Sequence, residues 1–216
     1  MLILYHCFSA RSFRPLWALE EMRLDYELRM LPFPPRVLQK EYLAINPLGT
    51  IPALLDGDTL MTESAAICEY LATSYGPTDL AVKPEEPGYG AYLNALHFGE
   101  ATLTFPQTLV LRYTRLEPKE RRVPQVAQDY AKWFLGRLRA VEARIGSHEY
   151  MAADRFTMAD ISVAYALMLA KDLGLDAQFT PGVAAYWTRV SARDGYRRAF
   201  ERQTEAARAA GLRAAI

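Results

Sequence analysis

The chain changes character part of the way along, and that change limits its fold more than any single residue does. Up to about Tyr75, strand-like and helix-like patterns alternate; beyond Gly90 only helical periodicity remains. Residues 2–5 are a short apolar run of the kind a buried strand makes. Phe13, Leu16, Trp17 and Leu24 then recur at helical spacing, and Tyr26, Leu28 and Met30 alternate with polar residues as a strand does. Pro32, Pro34 and Pro35 interrupt the pattern before a short helix over residues 37–44. Asn46-Pro47-Leu48-Gly49 is a turn signal. Residues 53–55 and 59–61 flank Asp56-Gly57-Asp58 as the arms of a hairpin. Ile67, Tyr70, Leu71, Ser74 and Tyr75 mark one more helix. The order βαβ followed by αββα predicts an α/β domain with a mixed sheet flanked by helices.

Residues 76–90 contain Pro77, Pro84 and Pro87 and read as a linker, which places one domain over residues 1–78 and a second over residues 88–216. The second is all-α. Helical patterns cover residues 89–116, 124–145, 158–173 and 183–190, with an Ala/Arg-rich end. One helix start is well specified: Thr157-Met158-Ala159-Asp160 is a capping box with Asp in place of the commoner Glu, and Phe156 and Ile161 stand where a hydrophobic staple needs them. This signal concerns folding, not chemistry.

With 216 residues the chain can bury a real core. Lys plus Arg equals Asp plus Glu, so the basic footprint of a nucleic-acid binder is absent. Cys7 and Cys68 are expected as reduced thiols. No signal peptide is recognisable, and the longest apolar stretch, residues 163–170, is too short to span a bilayer. The expected location is therefore the cytoplasm, without membrane or nucleic-acid partners.

Three local features can carry chemistry. Pro15 fits best in the first turn of a helix, which sets the helix start near Ser12, a natural N-cap, and leaves Ser9 in the loop just ahead. Such a position favours an anion; the alternative is an ordinary loop serine. Thr50-Ile51-Pro52 precedes a strand. A cis bond there turns the backbone of Ile51 outward for pairing with a peptide ligand, whereas a trans bond makes it an ordinary strand start. Thr62-Glu63-Ser64 opens a helix: Thr62 can cap it, Ser64 and its amide can hold a carboxylate, and Glu63 either holds an ammonium group or simply favours the helix dipole.

Together these features change the reading. Residues 46–54, Asn-Pro-Leu-Gly-Thr-Ile-Pro-Ala-Leu, resemble the NPxGxVPxL segment of cytosolic glutathione S-transferases. Residues 63–71 resemble that family's ESxAIxxYL helix start, and residues 9–14 resemble the SxxSxR pattern of its serine-type, zeta- or theta-like bacterial members. The resemblance implies a thioredoxin-like glutathione-binding domain followed by a helical domain with an apolar substrate site. It implies glutathione as co-substrate with no metal, a small apolar electrophile as second substrate, and a homodimer. By position, Ser9 matches the hydroxyl that supports the glutathione thiolate, with Ser12 the fallback, since an alternative alignment puts Ala10 at that place. Ile51, before Pro52 and after Thr50, matches the residue whose backbone pairs with the cysteinyl unit. Glu63 and Ser64 match the pair at the γ-glutamyl end, and Gln39 or Lys40 is expected to read the glycyl carboxylate.

Other constellations are weaker. His6, His97 and His148 lack metal-ligand spacing, and neither GxGxxG nor a P-loop occurs. Cys7 stands outside any CxxC, against a redox role. The rivals to conjugation are glutathione-dependent isomerisation, an ether-cleaving or dehalogenating lyase, and a non-catalytic binding module of the same fold.

Overall fold

A computed structural model describes residues 1–212. The chain forms two compact units, Met1–Thr78 together with the stretch from Ala192 onward, and Asp79–Ser191. The first unit contains β1 (Leu2–His6), α1 (Phe13–Met22), β2 (Tyr26–Met30), α2 (Pro35–Leu38), β3 (Ala53–Asp56), β4 (Thr59–Met61) and α3 (Ser64–Ser74). Its four-stranded sheet has the order β2-β1-β3-β4. β1 runs parallel to β2, with Leu2 opposite Tyr26, and antiparallel to β3, with Tyr5 opposite Ala53. The expected mixed sheet is what forms. Phe13, Leu16, Trp17 and Leu19 of α1 and Ile67 and Leu71 of α3 are fully buried, as are Leu4 and Leu54 of the sheet. Tyr5, Cys7, Leu31, Tyr42 and Ala53 make a further buried cluster.

Two expected boundaries move. The single helix over residues 37–44 is instead α2 followed by a separate 3₁₀ turn, Lys40–Ala44. Pro35 suits a first helical position and starts the helix early, and Gln39, at φ −145°, leaves helical conformation between the two pieces. The hairpin has a two-residue loop, because Asp56 stays in the ladder opposite Thr59.

In the second unit, residues 89–116 form one helical path with two changes of register: α4 (Tyr89–Phe98), a π turn (Gly99–Thr104), α5 (Phe105–Leu111) and a second π turn (Arg112–Leu116). Side chains take carbonyls around the first π turn: Ser162 Oγ donates to Leu96 O at 2.6 Å and Thr104 Oγ1 to Gly99 O at 2.7 Å. Insertions of this kind are what shift a helical ladder. α6 (Pro124–Ile145), α7 (Met158–Asp172) and α8 (Pro181–Ser191) follow. α7 is buried continuously from Met158 to Ala170, so it forms the centre of this unit. The capping box at its start forms as expected. Asp160 also accepts from the amide of Met151 and the hydroxyl of Tyr186, both at 2.9 Å.

The last helix, α9 (Asp194–Ala209), belongs by its contacts to the first unit, where it packs on α1 and β2. Arg193 forks onto Glu21 with bonds of 2.8 and 2.9 Å. Tyr196 meets Phe13 and Trp17 edge-on, at 5.5 and 5.0 Å between ring centroids.

Candidate functional site

The loop between β1 and α1 turns twice: the amide of Ala10 donates to Cys7 O, and that of Phe13 to Ala10 O. Ser9 lies within it at φ +50°, in the left-handed region that few non-glycine residues occupy. The helix starts where expected, with Ser12 at the N-cap position, but the Ser12 side chain makes no capping bond. It turns back into the unit, and its Oγ sits 2.7 Å from Nδ1 of His6.

Hydrogen-bond directions in this network follow from one fixed donor. A backbone N–H can only donate, so the Ser9 amide, 3.0 Å from Gln203 Oε1, identifies that atom as oxygen. His6 Nε2 lies 3.1 Å from the same oxygen and therefore carries the ring proton. Nδ1 is then the acceptor, and the Ser12 hydroxyl donates to it. Ser12 Oγ in turn accepts from the amide of Cys7 at 3.3 Å. His6, Ser12 and Gln203 are fully buried. Burial pushes the His6 pKa down from 6.5 to about 4, so the ring is neutral near pH 7. The Ser12 proton is thus committed within the unit.

The turn before β3 is tied by Asn46, which is 2% exposed. Its Nδ2 donates to Thr50 O and Oγ1 at 2.9 and 3.0 Å, and its Oδ1 accepts from the amide of Leu48 at 3.1 Å. Tyr42 donates to Thr50 O as well, at 2.8 Å. Gly49 is required: its φ is +59°, and a Cβ there would lie 2.5 Å from Cβ of Arg36. The Ile51–Pro52 bond is cis. The β1–β3 register ends at Tyr5 opposite Ala53, so Ile51 lies two residues beyond the ladder.

α3 begins at Ser64, with exposed Glu63 rather than Thr62 at the N-cap position and no side-chain cap. Ser64 is 3% exposed. Arg14, wholly buried in the first turn of α1, donates from Nη1 to Ser64 Oγ at 3.2 Å. The beginnings of α1 and α3 are therefore joined through a buried cation. Gln39 is half-buried and Lys40 exposed, both in the segment between α2 and β3.

The thiols have no part in this arrangement. Cys7 and Cys68 are buried and unpaired by disulfide, and burial pushes each up to about 12. Cys7 donates to Pro32 O at 3.7 Å. Among the described residues no three His, Cys, Asp or Glu side chains are placed to hold a metal ion, and no helix is long and apolar enough to cross a membrane.

Sequence reasoning missed Arg14, His6 and Gln203. Arg14 stood in view within the residue 9–14 pattern, as a charge in a helix turn that is otherwise apolar. His6 and Gln203 are 197 positions apart, and no local signal pairs them.

Residues 8–74 match the family model described as glutathione S-transferase, N-terminal domain, and residues 107–194 match glutathione S-transferase, C-terminal domain. Glutathione S-transferase 3 of Zea mays is 31% identical, over 88% of this chain and 88% of its own. Glutathione S-transferase 3 of Schizosaccharomyces pombe is 25% identical, over 94% and 88%. These relatives come from a plant and a fungus, so they lend no weight to the bacterial zeta- or theta-like subtype. A glutathione transferase of Phanerochaete chrysosporium in complex with oxidized glutathione superposes with a TM-score of 0.83 at 25% identity, covering 95% of this chain and 97% of that one. A glutathione transferase of Methylococcus capsulatus gives 0.82 at 25%, over 95% and 100%.

Proposed function

Because the chain belongs to the glutathione S-transferase family, we propose that it activates the thiol of glutathione through Ser9 and directs it onto a small apolar electrophile. The observation that carries this reading is the directed hydrogen-bond chain around His6. Of the two hydroxyls expected to serve the thiolate, Ser12 spends its proton on His6 Nδ1 at 2.7 Å. Ser9, 3% exposed, lies on the loop ahead of α1 at the position the family pattern gives to the thiolate-supporting hydroxyl.

The energetics are sufficient. A free thiol titrates near about 8.5, and lowering that to about 6.5 requires roughly 2.7 kcal/mol of preference for the thiolate. A hydrogen bond to a charged group contributes about 1.5–3 kcal/mol, and a helix N-terminus about 0.3–1 kcal/mol. One serine hydroxyl ahead of α1 supplies this with no metal and no general base. The thiolate sulfur then attacks the electrophilic carbon, and the leaving group departs with the electron pair.

The rest of the tripeptide is assigned to the neighbouring segments. The γ-glutamyl carboxylate lies at Ser64 and its amide, where the buried guanidinium of Arg14 adds a positive charge. Glu63 takes the ammonium group. The cysteinyl unit pairs with the backbone of Ile51 before Pro52 and beside Thr50, and Gln39 or Lys40 takes the glycyl carboxylate. The protein works as a cytoplasmic homodimer, a reading supported by family membership; sedimentation at micromolar concentration should give twice the chain mass.

Turnover with glutathione and an electrophilic aryl halide tests the activity, with Ser9→Ala expected to lower kcat/KM by about 10²-fold, the loss of roughly 2.7 kcal/mol. Turnover of a maleyl-type acid instead of the aryl halide would replace conjugation by isomerisation. Failure to turn over either, together with failure to bind immobilised glutathione, would replace the enzyme reading by a binding module.

A further inference from the structure

α9 gives one polar side chain to the Ser9 loop. Its buried face is Gly195, Ala199, Gln203 and Ala207, spaced four residues apart. Three of these are the smallest residues available, and the exception is a glutamine with no exposed surface. Its Oε1 accepts from the Ser9 amide at 3.0 Å and from His6 Nε2 at 3.1 Å. Its Nε2 has no hydrogen-bond partner among the described residues. A buried amide with an unmet N–H group is less favourable than an apolar side chain of the same shape. The amide N–H gains nothing here, so what holds a glutamine at this position is the pair of bonds its oxygen accepts, and these tie down the Ser9 amide and the His6 ring.

From this geometry we infer that Gln203 is a positioning residue for thiol activation. It fixes the Ser9 amide in the left-handed conformation, φ +50°, that sets where the Ser9 hydroxyl points. Through His6 it also fixes the ring tautomer that occupies the Ser12 proton, which keeps the second hydroxyl of the loop out of the chemistry. The Arg193–Glu21 fork and the Tyr196 ring contacts hold α9 on α1, so the carbonyl oxygen is presented at a set distance from the loop. The C-terminal helix thus takes part in the reaction without touching substrate. This inference rests on the reading that Ser9 supports the thiolate.

The test is the pH profile of kcat/KM for an electrophilic aryl halide at saturating glutathione, in wild type, Gln203→Met, Gln203→Asn, Ser9→Ala and the double variant Ser9→Ala/Gln203→Met. Gln203→Met keeps the volume and removes the acceptor; Gln203→Asn withdraws the oxygen by one methylene and serves if the first variant does not fold. Either should raise the thiol pKa of the profile by about one pH unit, which is about tenfold in rate below that pKa, while KM for glutathione changes little. In the Ser9→Ala background Gln203→Met should have no further effect, because coupled residues are not additive. The inference is overturned if Ser9→Ala raises the pKa and neither Gln203 variant does. It is also overturned if Gln203→Met raises it equally with and without Ser9. A profile that Ser9→Ala leaves unmoved refutes the Ser9 reading itself, and the role of Gln203 falls with it.

Discussion

Acidification from pH 7 to pH 4 acts on two buried groups with opposite signs, and replacing one of them separates the effects. His6 is wholly buried, accepts the Ser12 proton on Nδ1 and donates from Nε2 to Gln203. Burial lowers its pKa from 6.5 to about 4 in the folded chain. Between those values the unfolded chain binds a proton at this position and the folded chain does not, so stability falls as pH falls. The contribution is complete above pH 6.5 and is lost progressively down to about pH 4. At about 1.36 kcal/mol per pH unit it amounts to about 3 kcal/mol. Asp160 runs the other way: burial raises its pKa from 3.8 to about 6, so the folded chain binds the extra proton and gains stability as pH falls through that window. Wild type should therefore change little from this pair alone. His6→Gln, which keeps an acceptor and a donor but cannot be protonated, removes one side of the balance. Urea denaturation followed by tryptophan fluorescence at half-unit pH steps gives the difference in stability between wild type and His6→Gln. That difference should shift by about 3 kcal/mol against wild type between pH 6.5 and pH 4. A difference independent of pH over this range, or a His6 ring resonance that titrates near pH 6.5 in the folded protein, would refute the reasoning.

Asp160→Asn should destabilise the chain by about 2–4 kcal/mol at pH 7 in urea denaturation, because an amide cannot accept from the Met151 and Thr157 amides and the Tyr186 hydroxyl at once; a loss below about 1 kcal/mol would contradict it. Gly49→Ala places a Cβ 2.5 Å from that of Arg36 at a positive φ, and should weaken glutathione binding by isothermal calorimetry at least tenfold through the displaced Ile51 backbone, a left-handed alanine alone costing about 1–2 kcal/mol. Cys7 and Cys68, with thiols pushed up to about 12 by burial, should resist a colorimetric disulfide reagent at pH 7.5 until denaturant is added. Rapid labelling of the folded protein would contradict that placement.

What the sequence disclosed follows its local chemistry. α6 begins where expected because Pro124 can stand only in a first turn, and α7 begins where expected because its capping box states the start outright. The Asn46–Pro52 turn was legible for the same reason: each residue in it has a local task. Elements whose logic is not local were hidden. The first register shift within residues 89–116 lies where Ser162, from another helix, takes the Leu96 carbonyl. α9 showed no apolar stripe, because it buries glycine, alanine and one glutamine. The site divides in the same way. The proposed site residues Ser9, Ile51 and Ser64 stand in short readable segments, whereas Gln203 at the Ser9 amide and Arg14 at the Ser64 hydroxyl are contacts between segments.

Titration of the ultraviolet thiolate absorbance of bound glutathione, in wild type and in Ser9→Ala, tests the central claim most directly. The expected result is a thiol pKa in wild type well below the free value of about 8.5, which Ser9→Ala restores. A lowered pKa that survives Ser9→Ala and is lost in Ser12→Ala would contradict the hydrogen-bond directions around His6 and the role assigned to Ser9.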